Sequence, residues 1–266
     1  MQLNNTQIAQ YDEHGYLFFP GLLGKDEVAV LQGEMPEILN RQGPEVVREK
    51  DDPTVARLAF GAHVYSEAFR SLSLLPRMLN PVRQLLRDEV YLHQSRLNPK
   101  PGFGGGAAWD WHQDFPPWHM IDGMSEPRCV MVSVFIDDCS AAKSPLLVVP
   151  GSHRHGLIDS KLHDDAKGQG YDLYHIDRAT MERLADEGGI EALIGPAGSV
   201  CFIQCNVLHG SANNVSPWRR AIMYLIYNAV SNACAGTNRP WYQNNRDFTP
   251  LQPLDENCLK TLAKSR

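Results

Sequence analysis

His112 and Asp114, one residue apart in WDWHQDFPPWH (109–119), form a pair whose side chains could share a metal ion. On a β-strand, residues i and i+2 project to the same side, so an imidazole and a carboxylate would stand together while Gln113 turns away. Two ligands from one strand cannot fix a divalent ion, so a third must come from elsewhere. The best-placed residue is His209, at the end of the apolar run SVCFIQCNVLHG (199–210). Two histidines and one carboxylate on one side of an ion leave three positions open, the ligand set of non-haem Fe(II) oxygenases. The spacing alone also fits a buried aromatic strand that turns its polar residues outward, since Trp109, Trp111 and Trp118 fall in the same stretch.

The residues after His209 favour the metal site. Ser211 lies two residues on, and Arg220 eleven. If His209 ends one strand and Arg220 begins the next, a hairpin brings a guanidinium and a hydroxyl beside the ion. That pair suits the distal carboxylate of a 2-oxo acid, because a guanidinium presents paired N–H donors in carboxylate geometry. Arg219 reads as a solvated strand-end residue. His119 is placed near the metal or the substrate, and the remaining histidines lack partners at ligand spacing. GFGGGAA (102–108) enters a strand rather than a helix, so it reads as a flap at the site entrance and not as a phosphate loop.

The elements that must carry these residues change character near Val90. Before it the chain reads mainly as helix. Thr6 caps a short helix to Tyr11, and Asp26–Asn40 places Val28, Leu31, Met35 and Ile38 on one helical face. Two more helices cover 65–73 and 76–87, the second opened by Pro76. YLFFPG (16–21) reads as a strand ending in a Pro-Gly turn. After Val90 come strands rich in Val, Ile and aromatics, at 91–98, 107–114, 128–137, 145–151, 199–210 and 219–230. Strands so short and so closely spaced predict a mainly β protein with flanking helices, a jelly-roll or sandwich rather than alternating βαβ units. Segment 152–190 interrupts them as an insertion at one rim, with a helix at 179–188. No repeat or linker divides the chain, so one domain is expected over 1–266. It comprises a largely helical outer layer (1–89), a β core (90–230) and a C-terminal extension (231–266).

Composition narrows the class. A formal net charge of −6 leaves no basic footprint for nucleic acid. No apolar run reaches the ~20 residues of a membrane span. MQLNNTQIAQYDEHGY has neither the basic start nor the apolar stretch of a secretory signal, so a cytoplasmic protein is expected. The six cysteines form no CxxC pair and read as reduced, buried small hydrophobes. Neither nucleic acid nor a membrane is expected as a partner.

Taken together, the motifs are similar to the phytanoyl-CoA dioxygenase family of Fe(II)/2-oxoglutarate oxygenases, above all to its ectoine-hydroxylating branch. The resemblance rests on YDEHGYLFFPGLL (11–23), HQSRLNPKPGF (93–103), WHQDFPPWHMIDGM (111–124), PLLVVPGSH (145–153) and NVLHGSANNVSPWRR (206–220), in that order. It implies a double-stranded β-helix, a cupin-like jelly-roll, with helices packed outside. It implies Fe(II) on His112, Asp114 and His209, 2-oxoglutarate held by Arg220, Ser211, Asn98 and Trp109, and O2 as oxidant. Gln94 and Trp118 match substrate-contacting positions, with Met131 beside them, and His153 would lie near the pocket mouth. The implied reaction hydroxylates a C–H bond while 2-oxoglutarate loses CO2 and becomes succinate. Three departures from the branch bear on the substrate. Ile121 stands in place of an acid, Pro116-Pro117 in place of a Glu-Thr pair, and Met131 where small or hydroxyl residues occur. A site built for one polar substrate rejects analogues strongly, so such changes widen the expectation to a small polar metabolite: ectoine, an amino acid or a natural-product intermediate. No basic cluster offers itself to the phosphates of a CoA thioester. The competing reading is a cupin-like metalloenzyme or binding protein that does not use 2-oxoglutarate, in which Arg220 would be dispensable.

Overall fold

A computed structural model of the protein describes residues 1–103, 105–162 and 173–264. The first helix, α1 (Asn5–His14), is capped by Asn4 and not by Thr6. The Asn4 side chain accepts from Gln7 N–H while the Gln7 side chain accepts from Asn4 N–H, a reciprocal capping box. Gly15 ends the helix at φ 81, a backbone conformation that a side chain would strain.

The first ninety residues hold more strand than their periodicity suggests. Between α1, α2 (Lys25–Leu39), α3 (Ala62–Tyr65), α4 (Glu67–Ser73) and α5 (Pro76–Leu86) run β1 (Tyr16–Phe19), β2 (Val46–Arg48) and β3 (Ala56–Phe60). Strand β3 is buried along its whole length, so it lacks the apolar–polar alternation by which a half-exposed strand shows in sequence. Beyond them lie β4 (Val90–Asn98), β5 (Trp109–His112), α6 (Phe115–Met120), β6 (Cys129–Phe135), β7 (Leu146–Val148), β8 (Lys161–Leu162) and β9 (Tyr174–His175). The described chain continues with α7 (Arg178–Gly188), β10 (Glu191–Leu193), β11 (Val200–Gln204), β12 (His209–Ser211), β13 (Ile222–Ala229) and α8 (Cys258–Lys264).

The strands form two antiparallel sheets, in the orders β1-β11-β6-β13-β4-β3-β2 and β10-β7-β12-β5-β9-β8. This is the mainly β jelly-roll core with flanking helices that the strand spacing predicts. Alternation along the larger sheet sorts its side chains. Val130, Val132 and Val134 of β6 and Met223 and Leu225 of β13 pack with Leu31 of α2 and Leu72 of α4. Met131, Phe135, Tyr224 and Ile226 face the other way, toward Leu146 and Val148 of β7. Each fully buried aliphatic or aromatic side chain contributes about 1.5–3 kcal/mol, so the helical layer and the smaller sheet both hold the central strands firmly.

Two expectations about connectivity are corrected. SVCFIQCNVLHG is two strands, β11 in the larger sheet and β12 in the smaller. The chain turns between them, where Val207 N–H donates to Gln204 O and Asn206 N–H to the Gln204 side chain. His209 therefore begins a strand, and Arg220 precedes a strand of the opposite sheet, so no hairpin joins them. Segment 152–190 is more than a rim insertion, because β8 and β9 extend the smaller sheet and β9 pairs with β5 at His175 and His112. Residues 163–172, His163 among them, lie outside the described residues. After β13 the chain returns along β4 as a strap, with Asn245 N–H donating to His93 O and Leu251 N–H to Val90 O. Among the described residues no helix is long and apolar enough to cross a membrane.

Candidate active site

The last residue of β5 and the first of β12 are strand partners, so His112 and His209 face each other with ring centroids 4.2 Å apart. A carbonyl two residues upstream orients each ring. His112 Nδ1 lies 2.6 Å from Asp110 O, and His209 Nδ1 lies 3.0 Å from Val207 O. A carbonyl only accepts, so each Nδ1 carries the proton and each Nε2 keeps its lone pair for an ion.

Asp114 reaches the same point by a different route from the one its spacing predicts. It lies past the end of β5, with helical backbone angles (φ −80, ψ −23) at the start of α6. Pro116 and Pro117 explain the change: they cannot donate to a strand ladder but fit the first turn of a helix. The turn sets Asp114 Oδ1 3.6 Å from His112 Nε2 and Oδ2 3.8 Å from His209 Nε2. One ligand atom from each residue lies within 4.8 Å of the others, and all three residues are buried. Two imidazoles and a carboxylate at that separation suit a divalent first-row ion.

Arg96, on β4 of the opposite sheet, dominates the electrostatics. Its Nη2 lies 2.5 Å from Asp114 Oδ2 and 3.5 Å from Met131 Sδ, and the guanidinium sits over the Tyr224 ring at 5.4 Å. Burial opposes ionisation of Asp114, but the Arg96 guanidinium outweighs it and holds the carboxyl well below the usual range. Burial, reinforced by His112, pushes His209 down to about 4, so the ring is neutral and able to bind a metal at neutral pH. Gln113 faces away, as alternation predicts. Its Nε2 donates to Gly156 O and Asn206 O, and its Oε1 accepts from Ile158 N–H.

A cavity in front of the triad is lined by both histidines, Arg96, Asn98, Trp109, Ser211 and Tyr224. Trp109 is three residues from His112 and, in a regular strand, would face the other way. The register accounts for its position: His209 pairs with His112 and Ser211 with Trp109, so two steps on β12 match three on β5. The extra residue is a bulge, which turns Trp109 to the cavity side. The Arg57 guanidinium lies 4.0 Å over its ring.

Arg220 and Ser211 are held separately. Arg220 is buried and donates to Ser144 O and Asn98 Oδ1 at 3.0 and 3.2 Å. The Ser211 hydroxyl accepts instead from Lys100 Nζ at 2.7 Å, and the same amine donates to Ala212 O. Lys100 escapes motif reading. Burial first, then the charges of Arg220 and Arg57, push its amine down to about 6. Its one local signal is its place between two prolines in NPKPG, where it takes a positive φ of 26.

Gln94, Trp118 and Met131 are not among the residues lining this cavity. Gln94 sits two residues from Arg96 on β4 and donates to Gln243 O; Trp118 packs edge-on against His93, with centroids 5.5 Å apart. His119 is exposed and bonded through Nδ1 to Met124 O. His153, expected near the pocket mouth, packs against Gly15 at the end of α1, with Nε2 3.2 Å from Asp12 O. The glycine-rich loop lies against the 214–218 loop, where Phe103 N–H donates to Ser216 O.

Comparison with known proteins follows the same lines. The family model for phytanoyl-CoA dioxygenase matches residues 11–222. An ectoine dioxygenase of Bordetella parapertussis is 37% identical, over 95% of this chain and 86% of its own. L-proline trans-4-hydroxylase of Streptomyces griseoviridis is 35% identical, over 94% of this chain and 96% of its own. Among solved structures, EctD from S. alaskensis with bound Fe aligns at a TM-score of 0.82 and 34% identity, covering 95% of this chain and 87% of that one. EctD with 2-oxoglutarate and 5-hydroxyectoine gives 0.80 at 34% identity, over 95% and 86%. The chain therefore belongs to the phytanoyl-CoA dioxygenase family.

Proposed function

We propose that His112, Asp114 and His209 hold Fe(II) in this chain, an Fe(II)- and 2-oxoglutarate-dependent dioxygenase that hydroxylates a C–H bond of a small polar metabolite. One observation carries the ligand assignment: three buried ligand atoms converge, with both imidazoles oriented by backbone carbonyls so that Nε2 faces the carboxylate. Once bound, iron and 2-oxoglutarate couple O2-dependent C–H hydroxylation to the release of succinate and CO2. The protein's residues bind, orient and exclude water. Arg220, Asn98, Ser211 and Lys100 form the anion-binding side for the distal carboxylate of 2-oxoglutarate, where the Arg220 guanidinium supplies the positive charge and Lys100 holds the Ser211 hydroxyl. Trp109 and Tyr224 wall the cavity, and Arg96 keeps Asp114 ionised and aimed.

Two relatives are named for ectoine and for L-proline, both small zwitterions, and an amino-acid-like substrate is the reading that the buried polar surroundings support. Met131 and the Pro116-Pro117 turn distinguish this chain from the ectoine-hydroxylating pattern, so ectoine is one member of that class. Six free cysteines, five of them buried, support a reducing cytoplasmic location.

The test adds Fe(II) and then 2-oxoglutarate to apoprotein without oxygen and records the visible spectrum. A weak metal-to-ligand charge-transfer band is expected. It is lost in His209→Ala and needs far more 2-oxoglutarate in Arg220→Ala. Metal binding without a band at saturating 2-oxoglutarate would hand the site to the cupin-like reading, and no metal binding at all would remove the triad.

A further inference from the structure

Arg57, on β3, is not among the residues lining the cavity, yet it touches two that are, Trp109 and Asn98. Its side chain is buried and anchored at two points. Nη1 donates to Glu49 Oε2 and Nη2 to Ala108 O, both at 3.2 Å. The guanidinium carbon lies 4.0 Å over the Trp109 ring. A planar fork can bond two acceptors and still cover an aromatic ring, which a compact ammonium cannot do. The Arg57 backbone makes the other contact. Its carbonyl accepts from Asn98 Nδ2 at 3.1 Å. A carbonyl only accepts, so the amide turns its nitrogen to β3 and its Oδ1 to Arg220, which donates to it at 3.2 Å.

The placement of these contacts goes beyond what a structural ion pair needs. Glu49 directly follows β2, so its bond to Arg57 pins the β2–β3 hairpin of the larger sheet. Ala108 directly precedes β5 of the smaller sheet, the strand that ends at His112. One side chain thus ties the hairpin to the strand that carries a metal ligand. Burial pulls the guanidinium below its ordinary range, while Glu49 and then Asp110 favour its charge. A buried cation is kept where it is paired, and this one is paired where it backs a wall of the cavity. The hairpin alone would account for Glu49, but not for the ring or the amide.

We propose that Arg57 is a positioning residue for 2-oxoglutarate: anchored by Glu49 and Ala108 O, it holds the Trp109 ring against the cavity and the Asn98 amide toward Arg220. Its role rests on the reading of this cavity as the 2-oxoglutarate site and deepens it, by naming the residue that sets two of its walls from behind.

The experiment titrates Fe(II)-loaded protein with 2-oxoglutarate in the absence of oxygen and follows the charge-transfer band. Fe(II) affinity is measured separately by calorimetry. Arg57→Met is expected to raise the half-saturating 2-oxoglutarate concentration about 5–30-fold, the size of a buried cation–π contact. Fe(II) affinity, and succinate release at saturating 2-oxoglutarate, should stay within about twofold, as for a group that acts in co-substrate binding alone. Trp109→Leu should weaken 2-oxoglutarate binding too. Adding Arg57→Met to it should then cost less than about threefold more, because residues in contact share one interaction. Glu49→Gln keeps the shape but loosens the guanidinium, so it should raise the half-saturating concentration about 2–5-fold. It carries the test if Arg57→Met does not fold. Unchanged 2-oxoglutarate affinity in Arg57→Met, or in Glu49→Gln where that variant carries the test, overturns the proposal. An undiminished Arg57→Met effect in the Trp109→Leu background also overturns it, as does a matching loss of Fe(II) affinity, which would mark Arg57 as a support of the fold. Trp109→Leu with natural 2-oxoglutarate affinity overturns it as well, and leaves the co-substrate reading to Arg220. If the band never forms in the natural protein, the 2-oxoglutarate reading itself has failed and takes the proposal with it.

Discussion

Arg96 and Asp114 meet across the two sheets, Nη2 against Oδ2 at 2.5 Å, so the carboxylate that completes the His112–His209 cluster is held by a strand of the opposite layer. Removing one partner of a buried ion pair costs about 3–5 kcal/mol, because the other charge is left uncompensated. Arg96→Met should therefore destabilise the metal-free protein by that order in urea unfolding. Co(II) or Fe(II) affinity should fall about 10–100-fold, the usual effect of losing a group that orients a ligand. Calorimetric metal titration checks the second point. An unchanged metal affinity would show that the turn into α6 orients Asp114 unaided.

Gln113, between His112 and Asp114 in sequence, ties three other segments together. Gln113→Leu leaves Gly156 O, Asn206 O and Ile158 N–H without it. Each buried group left unsatisfied costs about 1–3 kcal/mol, so a loss of about 3 kcal/mol or more is expected. Metal affinity should fall too, since Asn206 lies in the turn that delivers His209. A variant within about 0.5 kcal/mol of the natural protein would mean that this turn holds without Gln113.

On the anion side, Arg220 donates to Asn98, and the two residues should act in concert. Arg220→Met is expected to raise the half-saturating 2-oxoglutarate concentration about 100-fold and Asn98→Ala about 10-fold, with metal affinity intact. Titrating the charge-transfer band with 2-oxoglutarate measures both. If either variant weakens metal binding instead, the residue is structural.

Lys100 gives the protein a pH signature. Its amine is neutral in the fold above about pH 6, whereas in the unfolded chain it stays protonated to near 10.5. Between those values the unfolded state binds the extra proton, so raising the pH stabilises the fold, by up to about 1.4 kcal/mol per pH unit from this group. Below pH 6 both states carry the proton, and the contribution stays at its least favourable level. Urea unfolding of natural protein and Lys100→Met at pH 7 and pH 9 isolates it. The natural protein should gain more on going to pH 9, and parallel changes in the two proteins would mean that the buried amine is charged.

Each missed feature has a physical reason. The bulge in β5 breaks the period of two on which strand reading depends, and only the pairing with β12 reveals it. Asp114 was expected on a strand and stands on a helical turn, because the prolines after it outweigh the aromatic strand before it. β3 was hidden because a strand buried on both faces has no alternation to display.

By itself the sequence determined the chemistry available and the class of fold. His112, Asp114 and His209, the run of short strands and the apolar face of α2 are properties of side-chain type and local spacing, which need no partner to be read. The tertiary structure decided which of these groups meet and who holds them. Arg96 reaches Asp114 over a separation of 18 residues, Lys100 reaches Ser211 over 111, and Gln94 reaches Gln243 over 149. Such contacts exist only once two sheets and a returning strap have brought distant chain together, because hydrogen bonds and ion pairs act over a few ångströms whatever the sequence distance between their partners.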